Sequence, residues 1–236
     1  MVLMPDALTR TSLPDQVFHR LVSDVLAGRF APGERLTTQR ALAAELWVNM
    51  ASVREGVKRL EQLGLVEVRH GDAMRVRDWR LHGGPDVLVH LIARSGSLDV
   101  EMVRSVMEAR RLLLTESARL AASRRSEDQA ALLASLAEQL AVADGDEAAQ
   151  RLDFAWYAVL IESAGNVVFL LVMNSIRALY LDRLELFRPI VSDRDGLVAR
   201  YRAAARAVAD GNGDAAAAEV FQLAAAQETR LLEALR

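Results

Sequence analysis

Apolar residues recur in pairs every four positions near the start of the chain, at Val17/Phe18, Leu21/Val22 and Val25/Leu26. That spacing predicts a helix with one core-facing stripe. Ser12 is placed to cap it, Pro14 sits in its first turn where a missing N–H costs nothing, and Gly28 ends it. Pro32-Gly33 then marks a turn. Two further helices are predicted over residues 38–46 and 51–63, the second with Asn49 as its cap and Gly64 as its terminator. Its core side is Val53, Val57, Leu60 and Leu63, with Arg54, Lys58 and Glu61 opposite. The pattern then changes to β-type runs, "LVEV" and "MRVRDW", joined at "RHGDA" as a compact hairpin. Three helices and a hairpin make a winged helix-turn-helix.

The segment "RLHGGPD" (80–86) reads as a linker, with two glycines and a proline. Beyond it everything reads as helix, near 86–95, 99–123, 126–142, 147–164, 166–188, 195–210 and 214–235. The expected fold is mainly α. A winged helix-turn-helix spans 10–79, and a C-terminal antiparallel all-α bundle spans 87–236.

Composition supports the helical reading, since apolar residues make up 52% and aromatics only 5%, leaving Leu, Val and Ala to build the interior. The chain has no cysteine, which excludes disulfides, thiol catalysis and cysteine-ligated clusters and suits a reducing cytoplasm. The longest apolar run, 154–161, is far short of the roughly 18–20 residues that span a bilayer, and the N-terminus lacks the pattern of a secretory signal. A cytoplasmic protein without a membrane partner is expected. The net charge of −3 is unevenly spread, because residues 1–80 carry 12 Lys/Arg against 10 Asp/Glu. Nucleic-acid binding would therefore depend on where individual arginines stand. Four scattered histidines, no cysteine and no phosphate-binding glycine loop offer no catalytic constellation, so an enzyme is not expected.

The run "PGERLTTQRALAAELWVNMASVREGVKRLEQLGLVEVRHGDAMRV" resembles the DNA-binding domain of GntR-family transcription regulators. The likeness rests on Pro32-Gly33, Leu36, Arg40, Leu42, Ala43, Val48, Val53-Arg54-Glu55, Arg59-Leu60, Gly64-Leu65-Val66 and His70-Gly71. The segments "EARRLLLTESARLAA" (108–122) and "DFAWYAVLIESAGN" (153–166) are similar to the all-helical effector domain of the FadR-type branch. The resemblance implies a homodimer on a pseudo-palindromic, double-stranded DNA operator. Recognition helices would enter the major groove and the wing the minor groove. It points to Arg40, Asn49, Ala51, Ser52, Arg54, His70 and Gly71 as DNA contacts. A helix N-terminus with its free N–H groups suits phosphate, and Arg40 and Arg54 can add charge-assisted bonds. Three positions depart from the pattern: Met50 replaces an arginine that contacts guanine, Trp47 a turn glycine, and Asp72 a residue that is often basic. Loss of an arginine–guanine pair removes roughly 1–3 kcal/mol of base discrimination.

Many relatives hold a divalent metal through one aspartate and three histidines. Here Asp153 is present, but Tyr157 and Tyr201 occupy two of the histidine positions and the third falls in "FQLAAAQ". One aspartate cannot make a nitrogen-rich site, so no metal or other cofactor is expected. The resemblance implies a small-molecule effector, a fatty acyl-CoA or another carboxylate. Arg110, Asp153, Tyr157 and Tyr201 are the candidate ligand residues, and Leu160, Phe169, Leu170, Met173 and Leu184 the candidate apolar lining. The rival reading is a ligand-binding dimer of the same fold whose sequence-specific DNA binding has weakened.

Overall fold

The computed structural model describes residues 12–68, 74–94, 97–182 and 184–236. The chain forms two compact units, residues 1–95 and 96–236.

In the first unit, helix α1 (Leu13–Leu26) opens on a capping box, in which the Ser12 hydroxyl accepts from the Asp15 amide and the Asp15 carboxylate accepts from the Ser12 amide. The predicted apolar pairs of α1 are all buried. Helix α2 (Gln39–Glu45) starts from Thr38 and helix α3 (Met50–Gln62) from Asn49, each cap oxygen accepting a first-turn amide. Helix α3 lies against α1 at a distance that only glycine allows. A Cβ on Gly56 would stand 2.9 Å from Val17 Cγ1 and 3.2 Å from the Phe18 amide nitrogen. Beside it Arg59 joins the two helices, its guanidinium 4.0 Å from the centre of the Phe18 ring and ion-paired to Asp15.

Gly64, at φ +72°, closes α3 with two backbone bonds: Leu65 N–H to the Leu60 carbonyl (3.0 Å) and Gly64 N–H to the Glu61 carbonyl (2.9 Å). The same pair closes α2, from Val48 N–H to Ala43 (3.1 Å) and from Trp47 N–H to Ala44 (3.4 Å). There the left-handed position is held by Trp47, at φ 54° the only described non-glycine residue with positive φ. The turn does require positive φ at the departure noted in the sequence. Strands β1 (Val66–Glu67) and β2 (Arg75–Val76) pair antiparallel, Val66 opposite Val76. The segment 33–36 bonds to the same sheet through Gly33 N–H to Val76 and Leu36 N–H to Met74. The wing tip lies outside the described residues, and with it His70, Gly71 and Asp72.

The stretch read as a linker carries structure. Helices α4 (Trp79–His82) and α5 (Val87–Ile92) belong to the first unit. A Cβ on Gly64 would stand 2.2 Å from the His82 carbonyl oxygen, and the His90 ring meets Phe18 edge-on at 5.4 Å. Two-residue strands follow: β3 (Ala93–Arg94) takes the end of the helix expected over 86–95, and β4 (Ser97–Leu98) lies in the break before the next helix.

The second unit is all helix after β4: α6 (Val100–Arg124), α7 (Glu127–Ala141), α8 (Gly145–Ser163), α9 (Val167–Asp182), α10 (Leu184–Phe187), a 3-10 turn (Arg188–Val191), α11 (Arg194–Ala209) and α12 (Gly213–Ala234). The expected helix over 166–188 is divided into α9, α10 and the turn. Helix α6 packs along α12 and α8, and α11 against α7 and α12, around a core of Leu and Ala with Trp156 and Tyr201 fully enclosed. None of the described helices is long and apolar enough to cross a membrane.

Two tests follow from the first unit. Gly56→Ala is expected to destabilise the protein by about 1–3 kcal/mol, because the new methyl overpacks the α1–α3 contact; urea unfolding measures it. Burial first, then the charges of His19 and Arg59, holds His90 below its ordinary value of 6.5. The unfolded chain therefore binds the proton more readily, and this contribution to stability is present above about pH 6.5 and lost as pH falls further. His90→Phe keeps the ring packing and is expected to reduce that acid-side loss in thermal melts.

Candidate functional site

The outward face of α3 is built from its cap. Asn49 Oδ1 accepts from the Ser52 amide at 2.8 Å, which fixes the start of the helix and leaves the amides of Met50 and Ala51 at its open end. Asn49, Ala51, Arg54 and Lys58 are exposed along this face, and Arg40 is exposed in the first turn of α2. Ser52 departs from expectation. Its side chain is buried at 4% exposure, because it follows the core-facing Val53 stripe around the helix. Only its backbone takes part, in the cap. Asn49, Ala51 and Arg54 thus combine a positive helix end with an exposed arginine, an arrangement suited to phosphate oxygens, and Arg40 is a second exposed arginine on α2.

A second site lies inside the helical unit, where Asp153 of α8 is buried at 2% exposure. Tyr201 of α11 donates its hydroxyl to Asp153 Oδ1. Gln227 of α12 donates from Nε2 to the same oxygen (2.6 Å) and to the Tyr201 hydroxyl (3.0 Å). Tyr180 of α9 donates to Asp153 Oδ2 at 3.3 Å. On its other side Gln227 Oε1 accepts from Arg110 Nη2 of α6 (2.9 Å) and from the Tyr157 hydroxyl (3.0 Å). The amide therefore joins the cation to the carboxylate, and a flip would set its N–H₂ against the guanidinium. The Arg110 guanidinium also lies over the Tyr157 ring, 4.6 Å from its centre.

Burial sets the electrostatics here. It pushes the Asp153 carboxyl above the usual range, opposed by the nearby Arg110 charge and by hydrogen bonds from Tyr201, Gln227 and Tyr180. Burial likewise raises the phenols of Tyr157, Tyr180 and Tyr201, which stay neutral donors. Arg110 Nη1 is buried and has no hydrogen-bond partner.

The four predicted ligand residues, Arg110, Asp153, Tyr157 and Tyr201, are brought together. The residue that the sequence reading missed is Gln227, which bonds to all four. A signal existed: Gln227 is the polar member of the buried stripe Val220, Leu223, Ala224, Gln227, Leu231. The donor set is poor for a divalent transition metal, with one carboxylate, two neutral phenols and an amide already bonded to one another. Among the described residues no three His, Cys, Asp or Glu side chains converge. Of the proposed apolar lining, Leu160 and Met173 belong to the packed core, with Phe169 and Leu170 against it. Leu184 instead borders an open cleft of about 510 Å³ beside Gln150, whose amide donates to the Leu184 carbonyl at 2.8 Å.

Comparison with known proteins places this geometry. The chain matches the family described as "Bacterial regulatory proteins, gntR family" over residues 13–76 and the FCD domain over residues 105–226. It is similar to the HTH-type transcriptional regulator Mce2R of Mycobacterium tuberculosis, with 37% identity over 235 residues, 100% of this chain and 97% of that protein. It is also similar to the fatty acid metabolism regulator protein of Edwardsiella ictaluri, with 26% identity over 68% of this chain and 66% of that protein. Among solved structures, Lar of Listeria monocytogenes matches with a TM-score of 0.59 at 16% identity, over 94% of this chain and 97% of that chain, a likeness of fold alone.

Gln227→Leu removes the amide between two buried charged groups. It is expected to cost about 2–3 kcal/mol, since polar atoms of Asp153, Arg110 and Tyr157 are left unpaired. The measurement is the urea midpoint at unchanged slope.

Proposed function

Because the chain belongs to the gntR family of bacterial regulatory proteins, in the branch with an FCD domain, we propose that α3 reads duplex DNA. The protein is a transcriptional regulator and not an enzyme. In this reading it acts in the cytoplasm as a homodimer, two copies of α3 entering successive major grooves of a pseudo-palindromic operator. Arg40, Asn49, Ala51 and Arg54 make the contacts, joined by the wing residues His70 and Gly71. The observation that carries it is the exposed, capped end of α3, with Arg54 exposed along the same helix and Arg40 exposed on α2. Met50 at the first position of α3 brings no charge, so the preferred operator differs from one read by an arginine there.

The effector site in this proposal is the cluster around Asp153 and Gln227, and its ligand is a carboxylate. Arg110 Nη1 is the support: a buried guanidinium N–H without a partner is satisfied by a ligand oxygen. The likeness to a fatty acid metabolism regulator favours an acyl chain behind that carboxylate. No metal takes part, because neutral phenols and an amide stand where nitrogen or carboxylate ligands are needed.

Fluorescence anisotropy against duplexes from the region upstream of the protein's own gene tests the DNA reading. Affinity is expected to fall steeply with salt, and Arg54→Ala to reduce the log–log salt slope by about 1. Binding that is absent or insensitive to salt would overturn it and favour a ligand-binding dimer. For the effector, native mass spectrometry is expected to show a co-purifying carboxylate that is lost in Arg110→Ala. Addition of Zn²⁺ after EDTA treatment should leave the Tm unchanged, and a saturable rise would defeat the metal-free assignment.

A further inference from the structure

Trp47 combines two features that a turn residue ordinarily avoids. It is 94% exposed, the most exposed large apolar side chain described, and it holds the left-handed conformation at φ 54°. Left-handed backbone is strained for any residue that carries a Cβ. Among the described residues nothing offsets that. The indole makes no hydrogen bond, ring stack or cation–π contact with any described residue, and only the Trp47 backbone is engaged, through its bond to Ala44. Strain of this kind points from the residue toward a function outside the fold.

Its position says which function. Trp47 stands two residues before the Asn49 cap and three before Met50, so about 11 Å of chain at most separates it from the start of α3. We infer that Trp47 is a DNA-contact residue, its indole lying on the sugar–phosphate backbone at the rim of the groove that α3 enters. This rests on the reading of α3 given above. Three considerations favour backbone over base. The residue lies on the turn, outside the helix whose side chains face the base edges. Indole Nε1–H is a donor only and phosphate oxygens are acceptors only, so the pair is matched. The flat apolar ring covers deoxyribose without needing a particular base. The exposed arginines on either side, Arg40 and Arg54, are complementary to the same polyanion. Trp47 would thus supply affinity without sequence information, next to an uncharged Met50 that brings no ionic contact.

The test uses Trp47→Gly in the full-length protein, because glycine suits the left-handed site and the variant keeps its fold. Its Tm is expected to equal or exceed that of the wild type. Binding to a labelled upstream duplex, and to an unrelated duplex of equal length at low salt, should weaken by the same factor, about tenfold, since a backbone contact carries no sequence information. The salt slope should not change, since indole is neutral. DNA should also protect the exposed tryptophan fluorescence of the wild type from acrylamide, and not that of the variant. Equal affinities without protection would overturn the inference and leave the α3 reading intact. A loss confined to the upstream duplex would overturn the backbone assignment in favour of base reading. Altered self-association with DNA binding unchanged would transfer Trp47 to a protein contact. A wild type that binds neither duplex would overturn this inference and the α3 reading together.

Discussion

A carboxylate enclosed in a bundle of leucine and alanine is tolerable only if its oxygens are met by donors, and that constraint organises the helical unit. Asp153 draws a side chain from each of three other helices: Tyr180 from α9, Tyr201 from α11 and Gln227 from α12. Through Gln227 it reaches a fifth helix, α6, at Arg110. A core of Leu and Ala alone packs in many nearly equivalent ways. The polar centre selects one arrangement, because a slip of any of these helices would strand a buried donor or acceptor.

The first unit is organised differently, with much of it closed by backbone bonds. Two turns of the same type close α2 and α3, and the α1–α3 contact depends on the absence of a side chain at Gly56. Charged side chains add to that scaffold, as where Arg59 bridges α1 and α3 through Phe18 and Asp15 and the Glu61 carboxylate accepts from the Val68 amide.

The helices of both units were legible because their apolar periods, caps and terminating glycines are local signals. Ser12, Asn49 and Gly64 mark boundaries within a residue or so of those observed. The left-handed turn at Trp47 was suggested only through the family resemblance, which implies a glycine at that position. What escaped was non-local. Helix α4 is too short to show a period, while α5 falls within the helix expected over 86–95 but reads in sequence as part of the bundle, and its membership of the first unit depends on contacts such as His90 with Phe18. Ser52 looked available because it follows the cap, yet the rotation of α3 carries it inward beside Val53. Gln227 was hidden because an amide among alanines resembles ordinary helix filler, and its meaning appears only when five helices meet.

The Asn49 cap and the backbone-only closures of α2 and α3 have an evolutionary corollary. Because the turn between α2 and α3 is closed by main-chain bonds and α3 is capped by Asn49, substitutions at residues 47, 50, 51 and 54 can retune what the protein recognises while folding is left nearly untouched. Such a module is free to drift onto new promoters by single steps, each intermediate remaining a well-folded protein on which selection can act.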